Sequence, residues 1–349
     1  MSQKTILITG GCGFIGSQCV RQFYRTHPEY VIVNLDLLTY AGNLENLKLV
    51  EEQERALPSD QKRYIFVKGS ITDEALLHTL CKQYDFRMII NFAAETHVDR
   101  SIISMNDFIS TNIGGARSLM EAVRANKVDR FIHISTDEVY GSIAYGTASE
   151  QTPLHPSNPY SSSKAAADLI VQSFVTTHNV PAIIIRGSNN YGTYQYPEKL
   201  IPLAITNVIE KHKIPVHGAG VHIRSWLHVA DFCDAIDLIA HHGAVGSIYN
   251  VSAEERSNMY VLQLICDSLG VNLEEYKEHV SDRPGADTRY APDSTKLREE
   301  LGWVPKRSLQ KNMKEIVDWY MKNEAWWRAI KTKKEFQDHY LKQSKGQWY

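Results

Sequence analysis

Cysteine is scarce in this chain of 349 residues, and the five present (Cys12, Cys19, Cys81, Cys233 and Cys266) are scattered without a CxxC pair. That argues against a disulfide framework or a thiolate zinc site and for a reducing compartment. No run of about 20 apolar residues is long enough to span a membrane. The start, Met1-Ser2-Gln3-Lys4, leads straight into a short strand rather than a secretory leader, so the expected location is the cytosol. Charge of either sign is not in excess: 38 Lys and Arg stand against 40 Asp and Glu, a formal net charge of −2. Such a balance gives no field for nucleic acid or an anionic membrane surface. Internal repeats and low-complexity segments are absent as well. What remains is an ordinary globular composition, long enough to bury one large core or two intimate ones.

The first half of the chain alternates short apolar runs with helical patterns. Thr5–Thr9, Val31–Asp36, Tyr64–Lys68, Met88–Phe92, Phe131–Ser135 and Ala182–Arg186 read as strands, continuous and β-branched as strands buried on both faces must be. Ser17–Thr26, Ala75–Gln83 and Gly114–Asn126 read as helices between them, and the polar stretch Glu51–Arg63 as an exposed excursion. This alternation predicts an α/β fold, a doubly wound parallel sheet with right-handed crossovers. After Arg186 the texture changes: loops rich in Asn, Pro, Tyr and Gly alternate with helices at Leu203–Lys211, Ala230–His242 and Met259–Leu269. The expected organisation is a dinucleotide-binding Rossmann domain over 1–187, with a return segment near 225–250. A smaller α/β substrate-binding cap over 188–330 and a charged tail over 331–349 without an apolar stripe complete it.

Three short strings carry chemistry. In Thr9-Gly10-Gly11-Cys12-Gly13-Phe14-Ile15-Gly16, glycines at 10, 13 and 16 follow a strand and open a helix. They permit a tight turn and close backbone approach, and the helix N-terminus stabilises a pyrophosphate. Asp36 ends the second strand about twenty residues further on, where a carboxylate accepts from both ribose hydroxyls and repels a 2′-phosphate, favouring NAD over NADP. In Tyr160-Ser161-Ser162-Ser163-Lys164, a lysine one helical turn after a tyrosine lies on the same face. Its charge, with that of a nicotinamide, stabilises phenolate, so Tyr160 can take a proton from an alcohol as NAD is reduced. In Ser135-Thr136-Asp137-Glu138, a hydroxyl and two adjacent carboxyls follow the fifth strand. They form either an acidic cap or an acid and a base held in different environments. A plain dehydrogenase has no need of them.

At this point the chain resembles the extended short-chain dehydrogenase/reductase family and, within it, the nucleotide-sugar 4,6-dehydratases. The strings that carry the resemblance run in order from residue 5 to about 320. They include Leu35-Asp36-Leu37-Leu38-Thr39-Tyr40-Ala41-Gly42-Asn43, Ala93-Ala94-Glu95-Thr96-His97-Val98-Asp99-Arg100-Ser101, Ser188-Asn189-Asn190-Tyr191-Gly192, Pro197-Glu198-Lys199-Leu200-Ile201-Pro202, Asp282-Arg283-Pro284-Gly285 and Leu301-Gly302-Trp303. The most specific is Thr136-Asp137-Glu138, because epimerases of the family carry other residues there. The resemblance implies that Tyr160, with Lys164 and Thr136, oxidises a nucleoside-diphosphate glucose at C4. Glu138 then removes the C5 proton, Asp137 protonates the departing C6 hydroxyl, and the reducing equivalent returns to C6. It also implies that Phe14, Ile15, Leu38, Thr39, Ser70, Ile71, Ala93, Ala94, Thr111 and Asn190 join the glycines and Asp36 around NAD. Thr96, Thr136, Asn189, Lys199, Leu200, Pro215, His217, Arg224, Asn258 and Arg283 would hold the sugar nucleotide, the two arginines suiting its diphosphate. Relatives pair helices corresponding to Asp107–Asn126 and Tyr160–His178 across a two-fold axis, which implies a homodimer. The apolar faces of those helices could equally be buried within one subunit.

Departures from the family pattern cluster away from the chemistry. Ser70 stands where an adenine-contacting carboxylate is usual, and Pro215-Val216-His217-Gly218 replaces a segment that usually carries tyrosine before the glycine. Arg224-Ser225-Trp226 and Ala286 also differ, and with Arg186-Gly187 and Trp326-Trp327 they look more like the eukaryotic branch, which includes an enzyme domain acting on UDP-glucose. Thymine is the expected base and uracil the alternative. A 4-epimerase or decarboxylase would not need Asp137 and Glu138; a catalytically silent NAD-binding scaffold would not need Tyr160 and Lys164. His241-His242 reads as a helix C-terminus, where imidazoles favour the dipole, with no metal site expected. Tyr191, Tyr194 and Tyr196 suit either a core or a cap lining.

Overall fold

A computed structural model describes residues 4–346. Seven parallel strands form the central sheet: Lys4–Thr9, Tyr30–Asp36, Tyr64–Lys68, Phe86–Asn91, Arg130–Thr136, Ala182–Gly187 and Ile248–Val251. In spatial order they run seventh, sixth, fifth, fourth, first, second, third. The first strand thus lies between the second and the fourth, and the strand order reverses there. The crevice beyond the carboxyl ends at that point is where such sheets bind ligands.

Period-two alternation distributes the sheet between two cores. Ile6 and Ile8 join Phe23 of the Phe14–Thr26 helix and Phe232, Ile236 and Ile239 of the Val229–His242 helix. Leu7, Val33 and Phe131 point the other way, onto Leu77, Leu119, Met120, Val123 and Val171 from three helices. A third core belongs to the cap: Tyr191, Ile205, Trp226, Leu262, Ile316 and Trp327 pack together around a sheet of Asn189–Tyr191, Ile223–His228 and Glu254–Ser257.

Four segments differ from their sequence reading. The helix expected over Asp107–Asn126 is broken, with a π-helical stretch at Ile109–Gly115 before the regular turns of Ala116–Asn126. This wide turn carries Asn112, whose amide holds both backbone groups of Glu95 and the Ser163 hydroxyl (2.8–3.0 Å). The excursion after Glu51 contains a helix, Lys48–Arg55, whose Glu54 is buried and accepts from the Tyr24 hydroxyl and the Arg63 and Tyr64 N–H groups. The charged tail does have an inner face: Lys334–Lys345 is a helix with Phe336, His339 and Gln343 buried. Gln347–Tyr349 of that tail lie outside the described residues.

The fourth concerns His241, which does more than face a helix terminus. Asp237, one turn before it, sits between two stacked imidazoles, bonded to His27 Nε2 at 2.9 Å and lying 2.9 Å from His241 Nδ1. These contacts hold the Asp237 carboxyl below its usual range, against burial, while the carboxylate raises His241 above its own. The lowered acid stabilises the fold above its unfolded value of about 3.9, and that is lost as pH falls through the folded value. The raised base stabilises below about 6.5, and that is lost as pH rises through its higher folded value. The clamp therefore contributes most between those limits. His241→Asn is expected to cost a few tenths to about 1 kcal/mol at pH 5–6 and less at pH 8.5. Thermal unfolding of both proteins across that range checks it; a pH-independent difference would contradict the assignment.

Candidate active site

Two adjoining cavities, of about 310 and 180 Å³, open at the carboxyl ends of the strands and share Thr96, Glu138, Asn189, Asn190, Gln195, Glu198 and Lys199 in their walls. The larger begins at the glycine turn. Gly10 has φ +68°, and a Cβ there would lie 2.6 Å from the Ala93 nitrogen. At Gly16 a Cβ would lie 2.2 Å from the Gly10 carbonyl, so only glycine lets the helix start this close to the strand. The Phe14–Thr26 helix has no side-chain cap and no acid in its first turn, leaving its first N–H groups available to an anion. Asp36 lines the same cavity. Its carboxylate accepts from the Cys12 N–H (2.8 Å) and the Leu38 N–H (2.7 Å), while burial pushes its pKa up. An uncapped helix N-terminus, glycines where side chains would clash and a strand-end carboxylate fit a dinucleotide such as NAD.

Phe14, Ile15, Thr39, Ser70, Ile71, Ala93, Ala94, Thr111 and Asn190 line this cavity with Gly10, Gly13 and Gly16. Leu38 does not. Its backbone turns into the left-handed region (φ +58°), its side chain packs on the core, and Leu37 takes the place at the cavity. The Ser70 hydroxyl meets the Thr72 hydroxyl (2.7 Å) and accepts from its N–H, so it braces a turn as well as lining the wall.

Thr136, Asp137, Glu138, Tyr160 and Lys164 meet on the floor of the larger cavity. The Pro159–His178 helix begins on an Asn158 capping box, which sets Tyr160 in its first turn and Lys164 one turn on. Lys164 is buried, donates to the Ile134 carbonyl at 2.7 Å, and has a pKa lowered to about 8 by that burial, against the attraction of Asp168. Tyr160 is pushed well above its usual value by burial and then by Glu138, whereas the neighbouring Thr136 hydroxyl works in the opposite direction. The phenol is therefore protonated in the protein alone.

The two carboxyls differ. Asp137 is 2 % exposed, and burial first and the Glu138 charge second hold it well above the carboxylate range. Its Oδ1 accepts from Thr136, and its Oδ2 is buried with no protein partner among the described residues. Glu138 is half-buried and also raised by burial, but Arg224, Lys199 and Arg283 all pull it back toward the charged form. One carboxyl is thus kept neutral and can donate a proton, while its neighbour faces three cations and can accept one.

Thr96, Asn189, Lys199, Leu200, Pro215, His217, Arg224, Asn258 and Arg283 line the smaller cavity, and Thr136 the larger one alone. Arg224 is not a free fork: its terminal nitrogens hold the carbonyls of Ile223 and Asp287 at 2.8 and 2.9 Å, and it lies over the Tyr290 ring. Arg283 contacts Asp99 (3.6 Å) and keeps a buried Nε without a protein partner among the described residues. Sequence reasoning missed Glu95, with a pKa raised to about 7 mainly by burial, and Glu198, Gln195, Tyr290 and Gln343, all lining the cavities. Glu95 and Glu198 stood inside the matching strings; Gln343 had no signal. Of the three tyrosines, Tyr191 is cap core, and Tyr194 and Tyr196 line the larger cavity.

Comparison with known proteins gives consistent likenesses. The model of the GDP-mannose 4,6 dehydratase family matches residues 7–316. A dTDP-glucose 4,6-dehydratase of Streptomyces niveus is 44% identical over 335 residues, 95% of this chain and 96% of that one. Crystal structures of two further dTDP-glucose 4,6-dehydratases superpose over nearly the whole chain. That from Bacillus anthracis in complex with NAD does so with TM-score 0.85 at 43% identity, covering 94% of this chain and 99% of its own. That from Streptomyces venezuelae with NAD and TYD bound does so with TM-score 0.88 at 40% identity, covering 93% and 99%.

Proposed function

The chain belongs to the GDP-mannose 4,6 dehydratase family, and from that premise we propose that it is an NAD-dependent dTDP-glucose 4,6-dehydratase, a hydro-lyase that makes the 4-keto-6-deoxy sugar. One observation carries the reading beyond the fold: adjacent carboxyls in different electrostatic surroundings beside Tyr160, one buried and held neutral and the other facing three cations, at the junction of a dinucleotide cradle and a cation-lined cavity. NAD, when bound, supplies the two-electron oxidation of the sugar and its later reversal. Tyr160 takes the C4 hydroxyl proton, with the Thr136 hydroxyl beside it favouring the phenolate. Lys164 beneath it is still largely protonated at neutral pH and favours the phenolate. The 4-keto group acidifies C5–H, and Glu138 removes that proton and returns one to C5 when C6 is reduced. Asp137, held neutral, protonates the C6 hydroxyl as it departs as water. Arg283, with the charge of Lys199 and Arg224, neutralises the diphosphate.

Incubating the protein with dTDP-glucose and with UDP-glucose separately, and weighing the products, tests the reading. A product lighter by one water from dTDP-glucose is expected; loss of water from neither would overturn it, and from UDP-glucose alone would move the base assignment to uracil. Asp36→Ala removes a buried charged acceptor for ribose hydroxyls, a loss of about 1.5–3 kcal/mol. Titration of the apo-protein should show NAD binding roughly tenfold to a hundredfold weaker, and unchanged affinity would contradict the role of Asp36.

A homodimer is part of the same reading. Leu119, Met120, Val123 and Val171 of the two candidate helices are buried within the chain, but Ile109 and Leu169 are 46 % and 58 % exposed, with Ile103 and Met105 also exposed nearby in the chain. Such an apolar outer face is consistent with a second copy as its cover. Light scattering at micromolar concentration should give twice the chain mass; a fully active monomer would reject it. Among the described residues no helix is long and apolar enough to cross a membrane.

A further inference from the structure

The helix Lys334–Lys345 carries a stripe at Phe336, His339, Tyr340 and Gln343, spaced as one helix face. Half of this inner face is apolar. Phe336 packs with Tyr196 and Ile330, and Tyr340 accepts from the Asn207 amide at 3.0 Å. The other half is polar and still buried: His339 is 7 % and Gln343 5 % exposed. Burying an amide without full pairing is costly, so its surroundings decide what it is for.

Gln343 lines the smaller cavity beside His217, Asp99 and Arg283. Its Nε2 donates to Asp99 Oδ2 and to the Glu198 carbonyl, both at 3.2 Å. A carboxylate and a carbonyl can only accept, so the amide cannot be turned round. Oε1 must therefore face elsewhere, and it is a buried acceptor with no protein partner among the described residues. Its backbone carbonyl accepts from His217 Nε2 at 3.3 Å, tying the amide to the Ile214–His217 strand. The wall of this otherwise polar cavity also carries the apolar side chains of Pro215, Val216, Leu200 and Leu262. A fixed, unpaired amide oxygen in a wall that also carries apolar side chains fits a flat heterocycle with a ring N–H.

We propose that the C-terminal helix closes the base end of the substrate cavity, and that Gln343 is a specificity-determining residue whose Oε1 accepts the ring N3–H of a pyrimidine base. The inference rests on the reading of this cavity as the nucleotide-sugar site. Thymine and uracil both carry that proton, so Gln343 does not choose between them. Cytosine presents a lone pair at N3, which repels Oε1, and is rejected. Gln343 at the base and the carboxyls of Asp137 and Glu138 at the sugar then grip opposite ends of one substrate.

The test is binding of nucleoside diphosphates to NAD-loaded, full-length protein by calorimetry, which needs no turnover. Wild type should bind dTDP and UDP about tenfold to a hundredfold more tightly than N3-methyl-dTDP and CDP. Gln343→Ala should weaken dTDP and UDP and bring all four ligands to within about threefold of one another. With dTDP-glucose the same variant should raise KM much more than it lowers kcat. Equal wild-type affinity for dTDP and N3-methyl-dTDP would overturn the role of Gln343 while leaving the dehydratase reading intact, and it needs no variant to fold. A selectivity that survives in Gln343→Ala would do the same. Failure of wild type to bind any nucleoside diphosphate would overturn both.

Discussion

Glu138→Gln should leave the first half of the reaction running and stop the second. The amide is nearly the size of the carboxyl and keeps an oxygen for the Tyr290 hydroxyl, which lies 3.3 Å from Glu138 Oε2. It has no basicity. Tyr160 loses a neighbouring negative charge that holds its phenol up, so C4 oxidation is not impaired and is eased electrostatically. Asp137 loses the same repulsion but stays buried and available as an acid. Removal of the C5 proton is the step left without a base, and loss of a positioned general base typically costs about 10²–10⁴-fold. Mixed with dTDP-glucose, the variant should build up reduced-nicotinamide absorbance on the protein while releasing little 4-keto-6-deoxy product. Solvent deuterium should enter C5 of that product far more slowly than in wild type. Dehydration at near the wild-type rate would reduce Glu138 to a structural acid, and the base would have to be sought among other carboxylates of the cavity walls, such as Glu95, Asp99, Glu198 and Asp287.

The legible parts of this site share a property: each was specified by neighbours in sequence. Gly10 and Gly16 announce a turn because only glycine fits there, and Asp36 is located by the length of one strand–helix–strand unit. Tyr160 and Lys164 share a face by helical period alone. The sheet was legible because its strands are buried on both faces and read as unbroken apolar runs. Ile248–Val251 escaped because it is four residues long with Asn250 inside, whose amide is satisfied only by the distant Tyr140 and Ala148. Leu38 was misplaced because a positive φ, invisible in the sequence at a leucine, swaps which of two adjacent side chains faces the cavity. The tail helix was missed for a different reason. Its inner stripe alternates Phe336 and Tyr340 with His339 and Gln343, so its polarity matches the site it covers and not a core. Arg224 looked like a phosphate fork, and only the fold shows its terminal nitrogens committed to carbonyls.

Arg186→Met should destabilise the fold by about 3–5 kcal/mol, because it strands a buried charge. Arg186 is 1 % exposed at the carboxyl end of the strand next to the sheet's edge strand, and its Nε donates to Asp168 Oδ2 at 2.9 Å. Its Nη1 donates to the Tyr140 hydroxyl at 2.8 Å, which donates in turn to Asn250 Oδ1 at 2.8 Å. Asp168 is fully buried on the Pro159–His178 helix, one turn beyond Lys164 and two beyond Tyr160, and its charge is what opposes the desolvation of Lys164. The pair thus lies directly behind the residues proposed to handle the C4 proton. Methionine fills most of the volume, so the cost is electrostatic and not a cavity. With the guanidinium gone, Asp168 keeps the charge of Lys164 and the His133 imidazole 3.8 Å away as neighbours, and either it protonates or it draws the ammonium away from its place under Tyr160. The double variant Asp168→Asn/Arg186→Met removes the stranded charge and should recover a large part of the lost stability, since replacing a buried pair together is far cheaper than breaking it. It should not recover activity, because Lys164 then lacks its carboxylate. Urea unfolding of wild type, both single variants and the double variant closes the cycle. A single-variant cost below about 1 kcal/mol, or a double variant no more stable than Arg186→Met, would show that this ion pair does not hold the catalytic helix to the sheet.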